Sequence, residues 1–170
     1  MTAKDDIVFY DGGVFPFSPE NFDTALCIEV LEHAQDPEYL LREIARTLCG
    51  GGALILSVPW SARRHHLPFD FHRFTRERLA ALLSDAGFDQ VEIHERGDDI
   101  AVIANKLLVV TMRLAKAVSL KNFLIHIPLA FIFGCLSFFM LLAAHISMAF
   151  GLGSAEDPLG YFCTARKAPL

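Results

Sequence analysis

At 170 residues, with 53% apolar residues, a positive mean hydropathy and a net charge of −5, the chain has the length of one domain but more apolar content than a soluble domain usually carries. The charge is uneven: residues 1–99 hold 9 Lys/Arg against 18 Asp/Glu, residues 100–150 hold 4 and none, and residues 151–170 hold 2 and 2. An acidic body argues against nucleic acid as a main partner, because phosphate binding needs clustered cations, whereas the basic apolar segment argues for an anionic lipid surface.

Cys27, Cys49, Cys135 and Cys163 are widely spaced and form no C-x-x-C pair, so a reducing compartment is expected. The start MTAKDD lacks the apolar core of a signal peptide, and nothing in it directs export.

Ile7 to Tyr10 is a short β-prone run that stops at the turn signal Asp11-Gly12-Gly13 and reads as a strand. After a loop with Pro16 and Pro19, Thr24 to Ile28 reads as a second strand, apolar enough to be buried on both faces. Asp36 is a good N-cap with Pro37 at the first helical position, and Leu40, Leu41, Ile44 and Leu48 then share one helical face. Gly50, Gly51 and Gly52 are expected to end that helix before a third strand, Ala53 to Val58, closed by Pro59. Thr75 caps the next helix, whose Leu79, Leu82, Leu83 and Ala86 face the core before Gly87 ends it. Gln90 to His94 is a fourth strand, and beyond the apolar segment Tyr161 to Ala165 is the last. Apolar runs alternating with helix-period segments imply a mostly parallel sheet.

From Asn122 to Ala155 there are 34 residues without a charge, and Leu129 to Phe150 alone could cross a hydrocarbon core as a helix of about 20 residues. The preceding stretch, Ile100 to Lys121, is amphipathic: Lys106, Arg113, Lys116 and Lys121 lie opposite Ile103, Leu107, Leu114 and Val118, as in a helix lying among lipid headgroups. If the strands on either side pair in one sheet, a single crossing is excluded, and a second crossing would place cations in lipid at about 2.5–3.5 kcal/mol each. A re-entrant or monotopic helical hairpin bent near Pro128 or Gly134 satisfies both limits; the other reading is a helical cap buried on the protein or at a dimer interface. His126 and His145 read as polar residues at the hairpin ends, not ligands.

The order DGGVFPF, FDTALCIEVLEH, DPEYLLREIARTL, GGALILSVPW, HRFTRERLAALLSDAGF resembles class I S-adenosylmethionine-dependent methyltransferases of the type-11 group, over residues 7–94 and again at 161–167. The resemblance implies a Rossmann-like sheet of strand order 3-2-1-4-5-7-6 with the last strand antiparallel, of which this chain looks like strands 3 to 7. The family's donor-binding glycine loop after strand 1 and acidic residue after strand 2 have no counterpart here; Gly50 to Gly52 follow a helix, so a helix-ending turn is their expected role. By similarity, Asp11 faces the adenine edge and Gly12 allows close approach, or the pair simply makes a turn. Glu29 stands where the family's loop meets the methionine end of the donor and offers a carboxylate for its ammonium. Glu32 and His33 open the next helix as a solvated cap or as a substrate contact.

The loop from Trp60 to Arg73 packs three His, three Arg and one Asp into fourteen residues at the carboxyl end of a strand, where open α/β sheets bind ligands. His72 and His66 are the expected general bases for a hydroxyl nucleophile, with Asp70 as orienting partner. Trp60, Arg63, His65, Arg73 and His33 are the expected acceptor contacts, the Arg residues suiting a phosphate or carboxylate. In the plainer alternative Asp70 and Arg73 pair to shape the loop. A metal on His65, His66, Asp70 and His72 is considered, but their spacing is not that of a fixed ligand set, and none is assigned.

The expected architecture is therefore α/β: a partial methyltransferase domain over residues 1–99, a membrane-associated helical insertion over 100–155, and the last strand over 156–170. The expected function is a S-adenosylmethionine-dependent methyltransferase, or a fragment of one, at the cytoplasmic face of a membrane, with a small-molecule or lipid-linked acceptor. The alternative is a catalytically inactive membrane adaptor or one subunit of a split methyltransferase. With strand 4 left as an apolar edge, a second chain, a homodimer partner, strand 3 or an upstream segment is expected to cover it, and S-adenosylmethionine is expected to bind weakly or not at all.

Overall fold

In the computed structural model, which describes residues 7–9, 12–116 and 123–169, strands and helices alternate in the order β1 (Phe22–Ile28), α1 (Pro37–Thr47), β2 (Leu48–Pro59), α2 (Arg76–Asp85), β3 (Phe88–Arg96), α3 (Asp99–Lys116), α4 (Phe123–Phe150) and β4 (Gly160–Lys167). The sheet runs β1-β2-β4-β3, with β1 parallel to β2. The chain divides into two compact units, residues 1–58, 64–93 and 162–170 in the first and 59–63 and 94–161 in the second.

In the first unit, Asp36 Oδ1 accepts from Tyr39 N at 2.7 Å and Pro37 opens α1, as the sequence leads one to expect. Leu40, Leu41 and Ile44 turn inward, and Leu54, Leu56, Val58, Leu79, Leu82 and Leu83 are buried with them. Glu43 of α1 is also buried; it accepts from Phe15 N at 2.8 Å and from both Nε and Nη2 of Arg46 at 2.9 Å. Arg46 in turn donates to the carbonyls of Phe15 and Phe17, so one ion pair fastens residues 15–17 to the helix. Thr75 Oγ1 caps α2 through Arg78 N at 3.2 Å, and Gly87, at φ +89°, ends it.

Several expectations are corrected. Ile7 to Phe9 is exposed and not a strand, and Tyr10 lies outside the described residues; without a neighbour in the ladder, β propensity alone does not make a strand. β1 is not buried on both faces: Cys27 is buried but Leu26 is 70% exposed, because among the described residues one face of the strand has no element packed over Leu26. Among the described residues β1 is the outermost strand of the sheet, as expected of an apolar edge. The glycines do not end α1. Leu48 already belongs to β2, and the register jumps from Phe22↔Leu48 to Thr24↔Ala53, so Gly50 to Gly52 lie in a bulge within the strand. Gly51 takes φ +77°, and a Cβ on Gly52 would meet the Cys49 and Asp23 carbonyls at 2.9 and 3.2 Å.

The second unit is built on α3 and α4. Ala101, Ala104 and Ala144 form their buried contact, joined by Thr111 Oγ1 and Ser137 Oγ at 3.0 Å; small side chains let the helices approach closely. This shifts the expected face of α3: Ile103 is 50% exposed, Val118 and Lys121 lie outside the described residues, and the small residues face the partner instead. Asp98 caps α3 through Ala101 N at 2.8 Å and accepts from Ser147 Oγ at the far end of α4. α4 passes unbroken through Pro128 and Gly134, so neither ends it. Pro128 falls within its first two turns, where only one hydrogen bond is lost.

The glycine bulge gives a direct test. Gly52→Ala must displace backbone oxygens and is expected to lower stability by about 1–3 kcal/mol in urea denaturation, whereas Gly50→Ala, facing open space, leaves the midpoint unchanged.

Candidate functional site at the carboxyl ends of β1 and β2

Parallel pairing brings the residues that follow β1 and β2 to one end of the sheet. The last registered pair is Ile28↔Ser57; beyond it Glu29 turns at φ +53°, donates from its backbone to the Ser57 carbonyl at 3.0 Å, and accepts from Ser57 Oγ at 2.9 Å. A short 3-10 turn, Leu31–His33, follows. The chain after β2 folds back over it, with Phe71 N and His72 N donating to the Glu32 carbonyl at 3.0 and 3.2 Å.

This return seals Glu32. It is fully buried, and neither side-chain oxygen has a hydrogen-bond partner. Its Oε1 lies 3.6 Å from His33 Nε2 and 3.7 Å from His65 Nε2. Burial pushes the carboxyl pKa up, and the nearby Glu29 charge adds to the effect, while the residue's own backbone N–H and the two imidazoles oppose it. The expectation of a solvated cap at Glu32 is therefore overturned: the turn faces inward because the returning loop covers it.

Asp70 is held by a guanidinium fork, Arg73 Nη1 at 2.7 Å and Nη2 at 3.0 Å, and by His65 N at 2.9 Å. Hydrogen bonds from Arg73 keep its carboxyl well below the usual carboxylate range. The imidazole beside it is His65, whose Nδ1 is 3.7 Å from Asp70 Oδ2. Asp70 thus orients His65 in place of the expected His66 or His72, because the loop closes between residues 65 and 70. His72 is tied by Nε2 to the Ala34 carbonyl at 3.0 Å and stacks on Phe74. His66 is exposed, at φ +52°, with its ring 5.3 Å from that of His33.

Beside this cluster lies a cavity of about 820 Å³, walled by Phe15, Phe17, Phe22, Phe69 and Phe71. Gly12, His33, Asp36 and Tyr39 also line it. The structure therefore brings together Gly12 and His33 at the cavity, and His65, His66, Asp70, His72 and Arg73 in the loop. Asp11 lies outside the described residues. Trp60 and Arg63 belong to the second unit, where Trp60 Nε1 donates to Asp157 at 3.1 Å. The volume and aromatic walls suit an adenosine, but the described lining holds no Lys or Arg for the carboxylate of S-adenosylmethionine, and Glu29 is not part of it. The fit to the donor is incomplete.

Sequence reasoning missed the burial of Glu32 and its approach to both His33 and His65. The signal was available: E-x-x-E-H after one strand and H-H after the next must meet if the two strands are parallel neighbours.

Comparison with known proteins gives the fold its class. Residues 3–56 match the family described as a methyltransferase domain, of the type-11 group. No curated protein matches. Among solved structures, the [4+2]-cyclase SpnF superposes with a TM-score of 0.53 at 20% identity, over 95% of this chain and 55% of that one. A chain of the complex between the Haloferax volcanii Trm112 methyltransferase activator and a methyltransferase gives 0.53 at 20% identity, over 95% and 60%. A SAM-dependent methyltransferase from Thermotoga maritima gives 0.50 at 14% identity, over 90% and 59%. The chain spans 55–60% of the length of these structures, and it carries a methyltransferase-like α/β domain.

The Asp70–Arg73 pair sets a pH dependence. Because the folded carboxyl titrates below its unfolded value near 4, its stabilisation is complete above about pH 4 and is lost as pH falls through the folded pKa. Asp70→Asn is expected to lower stability by about 1.5–3 kcal/mol at pH 7, with the deficit shrinking below about pH 4; urea titrations of both proteins at neutral and acid pH measure it.

Proposed function

We propose that the chain carries the acceptor side of a S-adenosylmethionine-dependent methyl transfer at a membrane surface. The observation behind this reading is the strand order β1-β2-β4-β3 with a titratable cluster at the carboxyl ends of its parallel pair. The methyltransferase sheet has strands 4, 5, 7 and 6 in that spatial sequence, and its ligands lie at that end. The family match over residues 3–56 points the same way.

The aromatic cavity suits a flat or prenyl-like apolar acceptor, either a small molecule or one linked to lipid. A hydroxyl acceptor must lose its proton as the methyl group arrives. His66, exposed beside His33, is the base in this reading, while His72 and Arg73 are held by the Ala34 carbonyl and by Asp70 and shape the loop. Because the described cavity lining offers no cation for the donor's carboxylate, calorimetric titration of this chain with S-adenosylmethionine is expected to show no micromolar site. Methyl transfer into a membrane lipid extract, followed with labelled donor at millimolar concentration to offset the weak site, tests the reaction itself; an extract left unlabelled under those conditions speaks against it.

The membrane part rests on α4. Its 28 residues reach about 42 Å, and only Ser137, Ala144 and Ser147 among them are buried, leaving Phe131, Phe138, Phe139 and Phe150 exposed. β3 and β4 are neighbours in the sheet, so the helix pair between them starts and ends on one side of any bilayer. Lys106, Arg113 and Lys116 of α3 are exposed and match the anionic cytoplasmic leaflet. In this reading the two helices lie side by side in the interface, with the cations of α3 among the headgroups and the apolar face of α4 towards the hydrocarbon. Replacing the three cations by Glu is expected to weaken binding to anionic vesicles by about 100-fold or more, at about 1 kcal/mol for each cation removed. A chain that fails to co-sediment with such vesicles sinks the membrane assignment.

The second reading, one subunit of a split enzyme or an inactive adaptor, draws on the open outer edge of β1, where Leu26 and Ile28 are exposed. Stable monomers in sedimentation velocity, with methyl transfer by the chain alone, would exclude it.

A further inference from the structure

The fully buried Glu32 carboxylate has no hydrogen-bond donor on either oxygen, yet it faces two imidazole nitrogens. One ligand atom from each of Glu32, His33 and His65 lies within 4.8 Å of the others. The protonation of His33 follows from its other nitrogen: Nδ1 is 2.5 Å from the Phe69 carbonyl, which can only accept, so Nδ1 carries a hydrogen. A neutral His33 then presents the Nε2 lone pair to Glu32. His65 Nε2 also lies on the Glu32 side, with Nδ1 3.7 Å from Asp70 Oδ2. A carboxylate and the His33 lone pair converging where Glu32 is buried repel one another unless something positive stands between them.

The geometry points to a site for one divalent transition-metal cation, of the Zn²⁺ class, held by Glu32, His33 and His65. With Zn–N and Zn–O bonds of about 2.0–2.2 Å, tetrahedral ligand atoms stand about 3.3–3.6 Å apart. The observed 3.6 and 3.7 Å are close to that span, and the third pair, within 4.8 Å, must close by up to about 1.3 Å. The outer contacts match what metal-bearing imidazoles use: a backbone carbonyl behind His33 and a carboxylate behind His65, itself fixed by Arg73. Two imidazoles and one carboxylate leave a fourth position open. His33 is also on the cavity wall, so that position is within reach of an oxygen of a cavity ligand, which the cation would polarise. Binding of the metal does not depend on the methyl-transfer reading.

The test uses the full chain, stripped with chelator, then titrated with Zn²⁺ by calorimetry and with Co²⁺ by visible absorption. One equivalent is expected to bind at micromolar or tighter affinity, with Co²⁺ bands of a four- or five-coordinate site. Glu32→Gln, His33→Ala and His65→Ala should each weaken binding at least tenfold, and Asp70→Asn by about 10–100-fold through His65. His94→Ala, on an exposed position of β3, should change nothing. If Glu32→Gln does not fold, His65→Ala gives the same readout, its side chain being 37% exposed. Equal uptake by the His33→Ala/His65→Ala double variant assigns the metal to other groups and overturns the proposal. A wild-type chain that is folded by circular dichroism yet takes up no metal overturns it too, and leaves a shared proton as what stands between the three groups.

Discussion

The site depends on the parallel pairing of β1 with β2, because two strands that run the same way release their following residues at the same end of the sheet. The pairing is irregular at one end only. Leu48 to Ala53 absorb the register shift in a glycine bulge near the start of β2, and from Thr24↔Ala53 onward the ladder is regular to Ile28↔Ser57. Glu29 and Ser57 continue it by a backbone and a side-chain hydrogen bond. The bulge therefore protects the alignment of the carboxyl ends, and with it the meeting of the 29–33 turn and the 64–73 loop.

Two buried carboxylates show how the same chemistry serves different ends. Asp98 is satisfied: Ala101 N and Ser147 Oγ donate to it, and hydrogen bonding keeps its pKa down, so the group works as a clasp between the start of α3 and the end of α4. Neither side-chain oxygen of Glu32 has a hydrogen-bond partner of ordinary geometry, and burial moves its pKa the other way. A fold that needed Glu32 only for packing would do as well with an apolar residue, since an unmatched buried carboxylate is costly. That cost is the observation that singles out Glu32, beside the half-buried His33 and His65, as the candidate for a role beyond packing.

Elements whose signals are local were legible in the sequence. Asp36-Pro37 and Thr75 fix helix starts by side-chain geometry available within three residues, and Leu79, Leu82 and Leu83 face inward as their period requires. What failed depended on partners far along the chain. Ile7 to Phe9 has β propensity but no strand beside it, and the glycines read as a helix stop lie in a strand because Phe22 pairs across them. In the site, the loop of histidines was recognised from composition, but which histidine meets which carboxylate was not. His65 and Asp70 are brought together by loop closure, and Glu32 is buried by backbone bonds from Phe71 and His72, some forty residues away. Periodicity carries no information about contacts of that kind.

Fold alone does not choose the reaction, since a [4+2]-cyclase shares this architecture with methyltransferases at the same level of similarity. The choice falls to the site and to its access. On the proposed reading, an aromatic cavity next to a buried acid and two imidazoles suits an apolar molecule with one polar atom to be acted on. Such a molecule partitions into lipid, and under the same reading the long exposed apolar helix would bring the chain to that phase. Under the proposed reading the helix pair and the cavity would answer one physical requirement, the capture of an apolar substrate from the phase that holds it, and the polar cluster at the strand ends would act on its polar atom.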